Sequence, residues 1–474
     1  MFDTIAALSP PDPDYSPRTA RLALYKKVQD GTLYDLLPHA FQDERTASGE
    51  YIPLRSRRPS VRYPLARIVV DDSVSLVFSD GHFPTLDSDD VGLRSTLSDL
   101  AIETRLNSVM QEAALRGAVG SVAVLLRVLK GRIFLKVLES LYLNPVWDPE
   151  APDTLLSVTE KYKAAGSSLV DLGYQIDNPA AQYWFMRIWD SDRETWFHPW
   201  PTTSVDPPMI DALRSISHGL GFVPLVWTRN LPGGPDGAEG IDGACTFRPA
   251  IETAIEIDYQ LSQAGRGLKY SSDPTLLIRE PAGDARELVR GGGNALVVTE
   301  HGDARLLEIN GTASAAVIEY IRTLRELALE GVHGNRASAD RLTTAQSGRA
   351  LEMMNQGLIF LADNLRVSYG AAILQIARMI ISASHIYRLT THHEPVPPLD
   401  RSARLRLKWP RWYAPDASDR AADAQTLATL TTAKLLSPET ALRSIADIYA
   451  VPDIGLERAK IAATEPDIAG QETV

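Results

Sequence analysis

The chain has 474 residues, too many for one ordinary domain and enough for about three of ~150 residues each. Hydrophobic residues make up 44% and charged residues 23%, which excludes a disordered chain and predicts a packed core. With 48 Lys+Arg against 60 Asp+Glu the net charge is -12, which excludes coating nucleic acid by bulk attraction, and the lone Cys245 excludes a disulfide framework or cysteine-based zinc site and fits a reducing cytoplasm.

In chain order, the N-terminus lacks the basic segment of a secretory signal and runs into an acidic, proline-rich sequence, so export is not expected. A helix is predicted over residues 97–117, followed by strands at 122–128 and 132–137 around the turn Lys130-Gly131. A second hairpin is predicted from residues 183–188 and 195–200, turned by Asp190-Ser191-Asp192-Arg193. It carries Tyr183, Trp184, Phe185, Trp189, Trp196, Phe197 and Trp200. Their flat faces suit sugars or bases, but a shared hairpin favours a core or subunit interface. Residues 222–230, the Gly-rich 231–243 and a helix from Arg248 follow the strand, loop, helix order of a phosphate site. Asp236, Glu239 and Asp242 stand where such a loop needs an attractive lysine, so nucleotide binding is not expected.

No proline lies between Pro281 and Pro395, and the long helices are predicted there. Just ahead of that gap, residues 248–264 read as a helix with Pro249 in its first turn and Ile251, Ile255, Asp258 and Leu261 on one face, where Asp258 interrupts the apolar stripe. Strand-like pieces at 275–279, 294–298 and 304–309, separated by Gly291-Gly292-Gly293 and the turn Glu300-His301-Gly302-Asp303, make a small β unit. Thr312 or Ser314 then caps a helix bearing Val317, Ile321, Leu324 and Leu327, which Gly331 ends. Residues 331–346, with His333, Arg336 and Arg341, read as an exposed loop. Surface arginines are ordinary in a connector, yet identical loops around a shared axis multiply a weak phosphate contact.

Beyond the loop, Met354, Leu358, Leu361, Leu365, Ala372, Ile376, Met379 and Ala383 form one stripe on a helix reaching from 351 to 387. At ~1.5 Å per residue it spans roughly 55 Å and predicts a large assembly to bury it. Its most apolar window, 371–383, is interrupted by Gln375 and Arg378 and falls short of the ~20 residues of a bilayer span, so no membrane crossing is expected. Ser437-Pro438-Glu439 starts a further helix near the C-terminus. There is no Gly-x-Ser-x-Gly elbow and no His-Glu-x-x-His, and His392-His393 lacks metal-ligand spacing on a helix. No catalytic, metal-binding or cofactor-binding residue is therefore assigned.

The order helix, β unit, helix, loop, very long helix and small helical end resembles the portal proteins of tailed double-stranded DNA bacteriophages. So do four stretches: Gly221-Phe222-Val223-Pro224-Leu225-Val226 with Asn230 and a Gly-rich turn; Ile255-Glu256-Ile257-Asp258-Tyr259-Gln260-Leu261-Ser262; Gln346-Ser347-Gly348-Arg349-Ala350-Leu351; and Leu436-Ser437-Pro438-Glu439-Thr440-Ala441-Leu442. The resemblance runs from about Leu100 to Ile461 and leaves the first ~60 residues unmatched.

It implies an α+β, portal-type fold. A mixed α/β wing would span 1–245 and, with the very long helix and a return strand, 347–415; stem helices 246–271 and 312–330 would flank a β clip at 272–311; a tunnel loop would occupy 331–346 and a helical crown 416–474. It also implies a structural, non-enzymatic, cofactor-free homo-oligomeric ring, a dodecamer, at one capsid vertex. Double-stranded DNA would pass through it non-specifically during packaging and ejection. The partners implied are the terminase large subunit, the head-tail adaptor, the major capsid protein and the scaffold. The location implied is the virion, with the host cytoplasm during assembly, and the resemblance extends to the portal of a gene-transfer particle. On this reading His333, Arg336 and Arg341 face DNA, and Arg279, Glu280, Arg286, Glu287 and Arg290 of the clip meet terminase and adaptor. The alternative is a capsid-associated hydrolase with an unrecognised carboxylate site, which predicts a monomer or small oligomer; a neck adaptor is disfavoured by the length and the long helix.

Overall fold

A computed structural model describes the chain except residues 205–206, 234–239, 273–274, 282–297, 308–311, 335–351, 354, 414–416, 447–448, 450, 452–453 and 465–474. The chain forms two compact units, one of Met1–Arg336 with Gln356–Pro410 and one of Ala337–Asn355 with Arg411–Val474. The fold class is α+β. Helices and sheets are mixed, and every pair of named strands is antiparallel.

The first unit opens with α1 (Phe2–Ala6) and α2 (Pro17–Gln29). Ser16 caps α2, its hydroxyl accepting from the Thr19 amide at 3.2 Å, and Pro17 takes the first turn, where a missing N–H costs nothing. After α3 (Leu65–Phe78) and strand β1 (Thr85–Ser88), the single helix predicted over 97–117 is two, α4 (Val91–Glu103) and α5 (Leu106–Gly117). The break has a local cause. The Thr104 hydroxyl donates to the Leu100 carbonyl at 2.8 Å, and Arg105 turns left-handed at φ 53°.

The predicted hairpin is β2 (Ser121–Leu129) and β3 (Arg132–Glu139), with Lys130 and Gly131 at φ 51° and 82°, the positive pair a tight two-residue turn requires. There follow β4 (Leu143–Trp147), β5 (Leu155–Ala165), α6 (Gly166–Asp171), β6 (Gln182–Trp189), β7 (Arg193–Phe197), β8 (Trp200–Pro201), β9 (Ile210–Ser217) and β10 (Leu225–Arg229). They build a three-stranded sheet, β10-β2-β3, and a six-stranded sheet, β4-β5-β6-β7-β9 with β8 beside β6. Ala123, Leu125, Leu138, Trp189, Leu225 and Trp227 share one core cluster contributed by both sheets. The aromatic hairpin is core. Tyr183, Trp184, Phe185, Trp189 and Phe197 are buried, and Tyr183 and Phe185 pack with Leu169, Tyr174 and the partly buried Trp196.

The chain then enters α7 (Ile251–Ser272), which outruns the predicted 248–264, the hairpin β11 (Thr275–Pro281) and β12 (Val298–Leu307), and α8 (Thr312–Gly331). The residues expected to turn, Glu300-His301-Gly302-Asp303, instead lie inside β12, with Asp303 opposite Arg279 and a bulge between Arg279 and Pro281 absorbing the irregularity. The piece predicted at 294–298 lies outside the described residues up to 297.

The long helix α9 (Gln356–Ser384) has 29 residues rather than the span to 387. It ends where the Ser384 hydroxyl bonds the Ile381 carbonyl at 2.7 Å and accepts the Leu399 amide at 2.9 Å. Fifteen of its residues are buried by its own chain, chiefly against α3 and β10, so that burial needs no further assembly. By length and composition α9 passes as a membrane span, but a mostly buried core helix passes the same test. Short strands β13 (Thr390–Thr391), β14 (Glu394–Pro395) and β15 (Leu405–Lys408), which pairs with β1, close the unit. The second unit holds α10 (Ala417–Thr432), α11 (Pro438–Ile445), capped by Ser437 as predicted, and α12 (Ile454–Thr464).

Candidate functional site

Helices α7 and α8 pack on each other and are gripped at one end by the body. Ala250, Ile257, Ala328, Leu329 and Val332 share a cluster with Leu65 and Val69 of α3 and Leu361 of α9, and the paired stripes continue through Leu261, Ile321 and Leu324. Away from that end α8 is largely exposed, with Ile318 at 46% and Tyr320 at 48%.

Asp258, which breaks the apolar stripe in the sequence, anchors α7. It is 4% exposed, and its two oxygens accept from the Tyr34 hydroxyl and the Tyr63 amide, both at 2.6 Å. One residue on, the Tyr259 hydroxyl donates to the Arg57 carbonyl at 2.8 Å; one turn on, Ser262 Oγ accepts the Val61 amide at 3.0 Å. These side chains strap residues 34–63 across the helix, and the Met1 ammonium meets Glu252 at 2.9 Å near its start. Burial pushes the Asp258 carboxyl up to about 6, with the Tyr34 and Tyr63 hydrogen bonds opposing that rise. Burial, reinforced by the adjacent Asp258 charge, also holds the Tyr34 hydroxyl far above its ordinary value. Each Asp258 oxygen thus has a hydrogen-bond partner, and the arrangement is a polar stitch between α7 and the strap.

At this gripped end α8 stops in a Schellman turn. The Gly334 amide donates to the Leu329 carbonyl at 2.8 Å and the His333 amide to Glu330 at 3.2 Å, with His333 in the left-handed region at φ 54°. His333 is exposed, and its ring leans on Phe360 of α9 with centroids 5.0 Å apart. Arg336 and Arg341 lie outside the described residues. Of the five β-unit residues, Arg279 is exposed in β11 and Glu280 follows it in that strand, while Arg286, Glu287 and Arg290 lie outside the described residues. Of these residues the described structure therefore places His333, Arg279 and Glu280.

In the Gly-rich segment Asp236 and Glu239 lie outside the described residues. Asp242, at its end, is buried in a fork with Arg18, Nε to Oδ2 and Nη2 to Oδ1 both at 2.8 Å, and also accepts from Ser121 Oγ at 2.6 Å. The remaining Arg18 nitrogen donates to the Ser140 and Leu143 carbonyls, so this pair pins α2, β2 and the loop together. Nothing in the loop's sequence separates a repelling Asp242 from a paired one, because the partner is 224 residues away. His392 and His393 form the β13–β14 turn at φ 49° and 67°, a backbone role. Among the described residues no three His, Cys, Asp or Glu side chains gather as a metal site. No protein-family model matches the chain, and no curated protein matches it.

Proposed function

We propose that this chain is a portal-type subunit, copies of which close into a ring that conducts double-stranded DNA into and out of a capsid. The observation that carries the reading is the helical hairpin. Two helices of 22 and 20 residues run out from a gripped base to a small β ribbon and back. On α8, Val317, Ile321, Leu324 and Ala328 make the stripe that faces inward, and Ala316, Tyr320, Thr323 and Leu327 make a second stripe one residue round, all exposed. A single partner helix covers one stripe, so the wider face calls for another neighbour, which the adjacent hairpin in a ring provides.

In such a ring α7 and α8 serve as stems, β11–β12 as the clip that meets the terminase and adaptor, and the segment from His333 as the loop nearest the axis. DNA has to slide, so a wall that neutralised many phosphates would hold it; an excess of twelve negative charges per chain favours repulsion from the wall and a few light contacts from Arg336 and Arg341. The Schellman turn at His333 sets where that loop departs. Native mass spectrometry of the purified chain tests the reading: closed assemblies of about a dozen copies are expected, and a monomer at every concentration contradicts it.

A further inference from the structure

Residues 35–62 leave the body and return to it at a single side chain. Tyr34, just before them, donates its hydroxyl to one Asp258 oxygen, and Tyr63, just after them, donates its amide to the other, both at 2.6 Å. One buried carboxylate thus fixes both ends of the segment. Packing beneath it is incomplete, since a cavity of about 80 Å³ lies there, lined by Tyr34, Arg62, Tyr63 and Asp258 among others.

Between its ends the segment holds itself together locally. Arg57 is buried and lies over the Phe41 and Tyr51 rings, donating to the Phe41 carbonyl at 3.1 Å and the Tyr51 hydroxyl at 3.3 Å. The Arg58 amide bonds the His39 carbonyl and the Ile52 amide the Glu44 carbonyl, both at 2.9 Å. Its further ties to α7 include the neutral hydrogen bonds of Tyr259 and Ser262 and a largely exposed Arg266–Glu44 pair, which is worth little. A segment this short is well below the roughly 40 residues that a chain needs to fold alone, so once detached it buries too little to stay ordered.

We infer that residues 35–62 are a latched flap, one cooperative unit that opens when Asp258 releases both ends, uncovers the Asp258–Ser262 face of α7, and closes more firmly in acid. The direction follows from the groups around the carboxylate. Tyr34, Arg62 and Tyr63 face it from the flap ends, and Tyr259 neighbours it on α7. Arg62 favours the ionised form, but it is also engaged by Asp35 at 3.1 Å and the Gly31 carbonyl at 3.0 Å, and burial outweighs it. A neutral Asp258 keeps both contacts, accepting the Tyr63 amide on one oxygen and donating from the other to the Tyr34 oxygen. In the open flap the carboxyl meets water and ionises at its ordinary value. Protonation therefore favours the closed flap, and raising the pH toward the closed-state value of about 6 favours opening. The device acts within one chain and stands whether or not copies close into a ring.

Peptide-level amide hydrogen exchange of the full-length chain, corrected for the intrinsic pH dependence of exchange, is the test. Peptides across 35–62 are expected to share one protection level below that of α9 and to lose about tenfold of it between pH 5 and pH 7. Asp258→Asn is expected to abolish that pH step. Tyr34→Phe, which loosens one end only, is expected to speed exchange at least about fivefold at both ends of the flap. Protection of α9 above that of the flap reports in each variant that the body is still folded. A flap protected as strongly as α9 in the parent would overturn the inference. So would a rise in Tyr34→Phe confined to the peptides next to residue 34, or a pH step that survives Asp258→Asn.

Discussion

Asp258 keeps its proton more tightly in the folded chain than in the unfolded one, because burial lifts its carboxyl from 3.8 to about 6. A raised carboxyl stabilises the fold fully at pH below its unfolded value and loses that contribution as pH climbs through the folded one; the total is on the order of 3 kcal/mol. Asp258→Asn removes the titration and keeps one acceptor for the Tyr63 amide, and the Tyr34 hydroxyl can turn to accept from the new amide nitrogen. Relative to the parent, this variant should gain about 1–2 kcal/mol between about pH 5 and about pH 8, measured by urea unfolding at both. Parallel pH profiles would show that Asp258 does not titrate in this range. The strap that Asp258 holds lies in the N-terminal arm, so the same side chain that looks like a flaw in an amphipathic helix is what orders residues 34–63 over it.

At the scale of elements, close packing governs α9 and its neighbours. Tyr369 is fully buried, its hydroxyl donates to Asn230 at 3.3 Å, and it fits beside α5 only because Gly117 has no side chain: a Cβ there would collide with the Tyr369 oxygen and reach Val122 at 3.0 Å. Gly117→Ala should therefore destabilise by about 1–3 kcal/mol despite Ala's better helix propensity, visible as a lowered thermal midpoint; an unchanged or raised midpoint would contradict that packing. Elements whose cause is local were legible in the sequence: the Lys130-Gly131 hairpin, the Ser437 cap and the helix ended near Gly331 all follow from a few adjacent residues. The α4–α5 break was not, since apolar spacing continues through Thr104 and Arg105, and the length of α9 was overestimated because its stop depends on Leu399, fifteen residues further on. Of the site, His333 was legible as a polar loop residue, but its left-handed capping role depends on Gly334 closing the turn.

For the whole molecule, the proposal joins a net charge of -12 to a passage for a polyanion through the arginines of one loop. Arg336→Ala with Arg341→Ala should impair packaging or retention of DNA without changing assembly, scored as the fraction of full particles; unimpaired packaging would remove the loop's assigned part. If the chain is the proposed conduit, the energy for packaging would come from a terminase, and the purified chain is expected not to hydrolyse ATP; turnover of ATP by it would contradict that proposal. The most direct test of the account is the top view of the purified full-length protein by negative-stain electron microscopy. Closed rings with a stain-filled central hole are predicted, and compact single particles with no rotational symmetry would contradict it.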